Sequence, residues 1–390
     1  MIPAAPAPPD VSTDEAIGRA AACLAAGEAA QARHWYAQAG GNPNALVELG
    51  RMFALGIGGE VDLAAAQAQW RKAERAGHPG AAYLLATYPP AGEDPATPAR
   101  LRLAAEAGLP LAQRAWALAR ARQEDPQAAV DALALLRLAA ARDPVAALLF
   151  AARAARGEGM AADPALAQVL HQQLAAHGIA PLPAVTATAA TPLQVQHERP
   201  WIAIADGVLS ADECRLMIAL MRPHLRRSQV FADGQEGRQV QAVRTSSGGT
   251  LDPVIEDHAA RRIQQRLADI AGVPLLHAEA MSILRYAPGQ QYRPHRDYLP
   301  PSALAADRPA AGNRRRTLCV YLNDVEAGGE TEFPIAQVQV APRAGRVVVF
   351  DNLDDQGQPD PDSLHAGLPV VRGEKWLGTL WFRERRYREA

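Results

Sequence analysis

His295 and Asp297 close the stretch YAPGQQYRPHRD, residues 286–297, and are two chemically capable side chains set two residues apart. The preceding residues read as a strand, and side chains at i and i+2 of a strand share one face. An imidazole and a carboxylate so placed fill two corners of a metal site. A third ligand from further along completes the two-histidine, one-carboxylate face associated with non-haem Fe(II). The chain has ten histidines, so H-x-D alone fits a plain hydrogen-bonded pair equally well, and the downstream sequence has to decide. There His365 sits in SLHAGLPV and Lys375 in GEKWLGTLW.

Positioning these groups falls to the elements around them. Beyond Pro274 the pattern turns extended, with candidate strands at residues 280–286, 317–322, 337–340, 346–350 and 376–382. They are short, rich in Val, Leu, Tyr and Trp, and separated by Pro-Gly, Gly-Gly and Arg-Gly turns. Two helices precede them. One opens on Ser210 and Glu213, a capping box, and carries the apolar stripe Leu216, Met217, Leu220 and Met221; the other spans residues 252–271. Helices followed by a run of strands argue for a double-sheet sandwich or jelly roll with helices on one side. The polar, Gly-containing stretch 227–241 between the helices reads as a mobile loop and a candidate lid. Thr317 and Tyr321 read as strand residues, Trp376 and Trp381 first as core and second as substrate contacts, and His224, His258 and His277 as surface or core histidines.

The N-terminal half is built differently. Residues 16–178 are rich in Ala, Leu, Arg and Gln, and short motifs recur at Pro43, Pro79, Pro110 and Pro144, which are 36, 31 and 34 residues apart. A second echo, GIGGEVD at residues 56–62 against GEGMAAD at 157–163, is offset by 101 residues, about three periods. Such units read as helix pairs that bury their apolar faces only by stacking, about four of them in an α-solenoid. Residues 179–199, full of Pro, Thr and Ala, read as a linker, and residues 1–15 as a flexible leader. His171, His177 and His197 show no recurring metal spacing.

Composition narrows the function classes. A formal net charge of −2 gives no electrostatic case for nucleic acid or an acidic membrane. Cys23, Cys214 and Cys319 lie far apart, without disulfide or zinc-knuckle spacing. A reducing, cytoplasmic setting is expected, and no stretch has the apolar length to cross a bilayer.

Two resemblances follow. Residues 48–82, ELGRMFALGIGGEVDLAAAQAQWRKAERAGHPGAA, resemble the Sel-one-like branch of the tetratricopeptide repeats, which implies protein binding on a concave face; that the helices merely brace the second domain stays equally open. In residues 200–390 the order His295, Asp297, His365, Lys375 is joined by VRTSSGG (243–249), RRTLCVYLNDVEAGGETEFP (315–334) and VAPRAGRVVVF (340–350). This resembles the prolyl 4-hydroxylase branch of the Fe(II)- and 2-oxoglutarate-dependent dioxygenases.

That resemblance implies a double-stranded β-helix with iron on His295, Asp297 and His365, and 2-oxoglutarate anchored by Lys375 with Tyr286 and Thr331 beside it. The reaction it implies consumes dioxygen, decarboxylates 2-oxoglutarate to succinate and hydroxylates a prolyl or other residue of a protein or peptide; ascorbate dependence is common among similar enzymes. A non-catalytic adaptor that senses metal or 2-oxoglutarate, and a hydroxylase of small molecules, are the alternatives.

Overall fold

The computed structural model describes residues 11–89, 94–123, 125–227, 230–231, 238–239, 244–252 and 255–388. Contacts divide the chain into two compact units between Gln113 and Arg114. The sequence instead suggests a boundary at residues 179–199.

Ten helices fill the N-terminal half of the described residues: α1 (Thr13–Ala25), α2 (Ala29–Gln38), α3 (Pro43–Leu55), α4 (Leu63–Arg75), α5 (Pro79–Thr87), α6 (Thr97–Glu106), α7 (Pro110–Ala121), α8 (Pro126–Ala139), α9 (Pro144–Arg156) and α10 (Pro164–Ala175). They make five pairs rather than about four, and α1 begins inside the expected leader. The four recurring prolines each occupy the first position of the first helix in a pair. A missing N–H costs nothing there, because no intrahelical acceptor exists for it.

The loop echo has a physical basis as well. Gly56 and Gly157 end α3 and α9 in the left-handed conformation, while Asp62 and Asp163 cap α4 and α10. Gly58 and Gly159 also have positive φ, and a Cβ on either would meet the carbonyl oxygen of Ala29 or Ala129 at 2.4 or 2.3 Å. In the first unit the core is apolar: buried Trp70 packs with Leu46, Val47, Leu85 and Tyr88 and donates to the Val47 carbonyl at 3.2 Å.

The second unit joins α8 to α10 and the end of α7 to the β-domain. Its helices α11 (Ala211–Met221) and α12 (His258–Ala271) are tied to them by buried charge pairs. Arg114 donates to Asp143 at 2.6 and 2.7 Å and to Asp257, the N-cap of α12, at 2.6 Å. Arg153 pairs with Asp212, and Arg215 bridges Asp212 and Glu158 at 2.9 Å. An apolar cluster of Leu148, Leu174 and Ala219 sits among them. Removing one member of such a pair leaves a buried charge uncompensated, which costs about 3–5 kcal/mol. The segment 179–199 is pinned to this unit. Val185 is buried, its carbonyl accepts from Arg215, and Thr186 N–H donates to Asp324 at 3.1 Å. The capping box at Ser210 and Glu213 is present, whereas α12 begins at His258 and not at residue 252.

The β-domain contains β1 (Gln194–Glu198), β2 (Trp201–Ala205), β3 (Arg226–Arg227), β4 (Val230–Phe231), β5 (Arg238–Gln239), β6 (Ser247–Thr250), β7 (Ser282–Tyr286), β8 (Tyr292–His295), β9 (Arg314–Tyr321), β10 (Ala327–Gly328), β11 (Thr331–Phe333), β12 (Val338–Val340), β13 (Val347–Asp351), β14 (His365–Gly367), β15 (Val370–Arg372) and β16 (Lys375–Arg383). One helix, α13 (Pro301–Ala306), lies between β8 and β9.

The larger sheet runs β1-β2-β13-β9-β16-β7-β6-β3, and a four-stranded sheet runs β12-β11-β14-β8. Every pairing is antiparallel. Inward residues of both sheets, among them Ile202, Tyr321, Phe333, Val348, Phe350 and Leu377, form the core between them. The result is the expected double-sheet jelly roll with flanking helices. The candidate lid at 227–241 lies largely outside the described residues.

Candidate active site

Strand register assembles the site. His365, the first residue of β14, pairs directly opposite His295, the last residue of β8, so residues seventy positions apart bring their rings to 4.2 Å between centroids. Asp297 lies just past the end of β8, and its oxygens sit 3.6 Å from each Nε2. The three ligand atoms lie within 4.8 Å of one another, and they form the only such cluster among the described residues.

Both imidazoles are oriented from behind. Nδ1 of His295 lies 2.9 Å from the Arg293 carbonyl and Nδ1 of His365 lies 3.0 Å from that of Ser363. A carbonyl only accepts, so Nδ1 carries a hydrogen in both rings, and Nε2 is the nitrogen turned toward Asp297. Tyr292 stacks on His295 at 3.4 Å, and Phe350 lies 4.6 Å from His365. Burial pulls His365 down to about 4, with His295 adding to the effect, so it is neutral at pH 7. Burial works to raise Asp297, but His365, His295 and Arg314 hold it well below the usual carboxylate range. Two imidazole nitrogens and one carboxylate oxygen, drawn together within 4.8 Å, fit a divalent cation with affinity for imidazole and carboxylate.

The other end of the cleft is cationic. Lys375 opens β16 opposite Tyr286 of β7, is 2% exposed, and donates to the Gly329 carbonyl at 2.6 Å. Its ammonium also lies 5.5 and 5.2 Å from the rings of Tyr286 and Tyr321. Among the described residues no carboxylate makes an ion pair with it, and burial lowers it from 10.5 to about 8 against a weaker upward pull from Cys319 and Glu330. Thr331 on β11 is buried and accepts from the Tyr321 hydroxyl at 2.6 Å, which leaves its own hydrogen for another acceptor.

All six residues expected from the sequence line one cleft of about 420 Å³, open space at its mouth included. Its floor is one face of β16, the alternating Lys375, Leu377, Thr379 and Trp381. The opposite face holds Trp376, Leu380 and Phe382, all fully buried. Period-two alternation thus divides the two tryptophans: Trp376 is core, and Trp381 belongs to the cleft.

Several cleft residues went unassigned in the sequence. Arg244, 5.3 Å from the Tyr292 ring, lies in the VRTSSGG stretch that the resemblance marks but does not single out. Cys319 also lines the cleft, and Tyr321 reaches Thr331 from the same face of β9. Inward alternation along 317, 319 and 321 was the available signal.

The family model for the 2OG-Fe(II) oxygenase superfamily matches residues 281–383. Probable prolyl 4-hydroxylase 3 of Arabidopsis thaliana is 36% identical over 200 residues, covering 46% of this chain and 68% of the relative. The chain belongs to the prolyl 4-hydroxylase branch of this superfamily. Another relative in that branch, prolyl 4-hydroxylase 1 of the same plant, is 36% identical over 201 residues, 48% of this chain and 70% of its own length.

Among solved structures, the viral collagen prolyl hydroxylase of Paramecium Bursaria Chlorella virus-1 is 28% identical over 47% of this chain and 95% of its own, with a TM-score of 0.37. The Sel1 repeat protein from Oxalobacter formigenes is 23% identical over 44% of this chain and 76% of its own, with a TM-score of 0.39. As a member of the prolyl 4-hydroxylase branch the chain is a dioxygenase, with a run of short helices ahead of the catalytic domain in the sequence.

Proposed function

We propose that the protein hydroxylates a prolyl or other residue of a protein or peptide, with Fe(II) on His295, Asp297 and His365 and 2-oxoglutarate as co-substrate. The observation that carries this reading is the buried Lys375 ammonium at the far end of the cleft that holds the triad. A buried cation without a carboxylate partner is costly, and a dicarboxylate reaching from metal to ammonium would satisfy both ends. Bound iron, with 2-oxoglutarate and dioxygen, supplies oxidative decarboxylation coupled to insertion of one oxygen atom into a C–H bond.

The chain's own residues bind and orient. Lys375 and the Thr331 hydroxyl take the far carboxylate, the two Nδ1–H···O=C bonds hold the imidazoles, and Phe350 and Phe333 keep the metal end dry. In the cleft, Trp381 offers an indole N–H that is buried and has no acceptor among the described residues, while Arg314 stacks on its ring at 4.2 Å. A substrate carbonyl would satisfy that donor, which favours a peptide. The relatives named as prolyl 4-hydroxylases point the same way.

The repeats would recruit the partner, ascorbate would support turnover, and the three free cysteines suit a reducing, cytoplasmic compartment. No helix among the described residues is long and apolar enough to cross a membrane. Turnover of 2-oxoglutarate should require Fe(II) and vanish in His295→Ala, and a partner captured by the intact protein should gain one oxygen only with active enzyme. Metal-loaded protein that neither binds nor consumes 2-oxoglutarate would overturn this reading. Oxygen gained only by a free amino acid or small molecule would replace the peptide.

A further inference from the structure

Behind Asp297 lies a chain of hydrogen bonds that neither ligand binding nor co-substrate binding uses. The Thr317 hydroxyl donates to Asp297 Oδ2 at 2.8 Å, and its oxygen accepts from Asn352 Nδ2 at 2.9 Å. Both Thr317 and Asn352 are completely buried. Neither can drift. Thr317 sits in the middle of β9, between Phe350 of β13 and Trp381 of β16. Asn352, just past β13, donates its N–H to the Arg315 carbonyl at 2.8 Å and accepts from Asp360 N–H at 2.9 Å.

The direction of each bond is fixed by chemistry. Asp297 is a carboxylate and only accepts, so the single hydroxyl hydrogen of Thr317 points to it. The hydroxyl oxygen must then accept, and the Asn352 amide nitrogen supplies the hydrogen. Oδ1 lies 3.6 Å from His295 Nε2 and Oδ2 the same distance from His365 Nε2, but only Oδ2 takes the Thr317 hydrogen, so Oδ1 is the oxygen this bond leaves open to an ion.

We propose that Thr317, backed by Asn352, is a positioning residue that presents Asp297 to the metal through one oxygen. An Asp297 free to turn could offer both oxygens to the ion and take up a coordination place the co-substrate needs. Holding Oδ2 on Thr317 prevents that and fixes the carboxylate against the two imidazoles. Partners of ligating side chains typically change metal affinity about tenfold to a hundredfold when removed. This inference rests on reading the triad as a metal site.

The test uses the full-length chain carrying Thr317→Val, Thr317→Ser or Asn352→Leu, each titrated with Mn(II) and each examined by visible absorption after loading with Co(II). Thr317→Val keeps the shape and loses the donor, so its Mn(II) affinity should fall about tenfold or more and its Co(II) spectrum should change. Thr317→Ser restores the donor and should restore both. Asn352→Leu removes the second link only, and should weaken Mn(II) about threefold while leaving the hydroxyl in place.

Wild-type affinity and an unchanged Co(II) spectrum in Thr317→Val would overturn the proposal, as would a lowered melting temperature of the metal-free protein with metal affinity intact. If Thr317→Val does not fold, Asn352→Leu and Thr317→Ser decide: wild-type Mn(II) affinity in Asn352→Leu, or failure of Thr317→Ser to bind like wild type, overturns it. Wild-type protein that binds no Mn(II) would instead defeat the metal site itself.

Discussion

The two ends of the cleft solve opposite electrostatic problems. At the metal end, negative charge and lone pairs converge and are held from behind: His295 and His365 by backbone carbonyls, Asp297 by Thr317. At the anchor end a single ammonium is buried with one carbonyl and two aromatic faces for company. The first arrangement is built to receive a cation, the second an anion, and each is under-compensated until its guest arrives. The ends should therefore fail independently. Losing the metal end abolishes metal binding and with it all turnover, whereas losing the anchor end weakens the co-substrate and spares the metal.

The largest effect belongs to Asp297→Ala. It removes the only carboxylate among the three ligands, and the expected outcome is loss of detectable 2-oxoglutarate turnover together with at least a hundredfold weaker Mn(II) binding, by analogy with the tenfold to hundredfold cost of disturbing even an outer partner. Calorimetric titration checks it. Mn(II) affinity that survives the change would erase the contrast between the two ends.

Next comes Lys375. Truncating one partner of a buried charged pair costs about 2–5 kcal/mol, so Lys375→Ala should weaken 2-oxoglutarate roughly a hundredfold in metal-loaded protein while leaving Mn(II) affinity within about twofold. Acidity gives a second handle on the same residue. Burial lowers its pKa from 10.5 to about 8, and the protonated form is the one that binds a carboxylate. Affinity for 2-oxoglutarate should be complete below pH 7, fall as pH rises through 8, and be accompanied by proton uptake above that point. Stability runs the other way. Between pH 8 and 10.5 the unfolded chain holds the lysine proton and the folded chain does not, so this residue's contribution makes the metal-free protein more stable as pH rises through that window. Affinity that stays flat to pH 9.5 would mean the ammonium finds an anionic partner in the fold.

How much of this could be read beforehand depended on the range over which the signal acts. Local chemistry was legible: the Ser210–Glu213 capping box was read directly, and the recurring prolines and the echo of 56–62 in 157–163 were read as repeats, to which the structure adds that the prolines open α3, α5, α7 and α9 and that Asp62 and Asp163 cap α4 and α10. The order His295, Asp297, His365, Lys375 was legible as a pattern, though not the register that makes His365 face His295 and Lys375 face Tyr286. β8 and β14 are only four and three residues long and carry no alternating apolar signal, so β8 was legible only as a strand somewhere before His295, and no strand was expected at β14. Least legible was the division of the chain. The last repeats share a compact unit with the β-domain through the pairs Arg114–Asp143, Arg114–Asp257, Arg153–Asp212 and Arg215–Glu158, whose members lie 29 to 143 residues apart, and a composition shift at 179–199 says nothing about such pairs. Thr317 looked like an ordinary β-branched strand residue, and its bond to Asp297 shows only in three dimensions.

The smallest expected effect tests whether the anchor end is one group or two. Thr331 accepts from Tyr321, so its own hydrogen is free to reach a carboxylate held by Lys375. Thr331→Val removes that hydrogen without changing shape. The Tyr321 hydroxyl then loses its acceptor, but the Val340 carbonyl already lies 3.2 Å away and can take the hydrogen, so the fold should lose little stability. One hydrogen bond from a neutral donor to a charged acceptor is worth about 1.5 kcal/mol at the lower end of its range, which corresponds to roughly tenfold weaker 2-oxoglutarate binding, with Mn(II) affinity and melting temperature unchanged. Affinity equal to wild type would leave Lys375 as the sole anchor. A loss as large as that of Lys375→Ala would mean that the ammonium is positioned through Thr331, and the anchor end would then be as cooperatively built as the metal end.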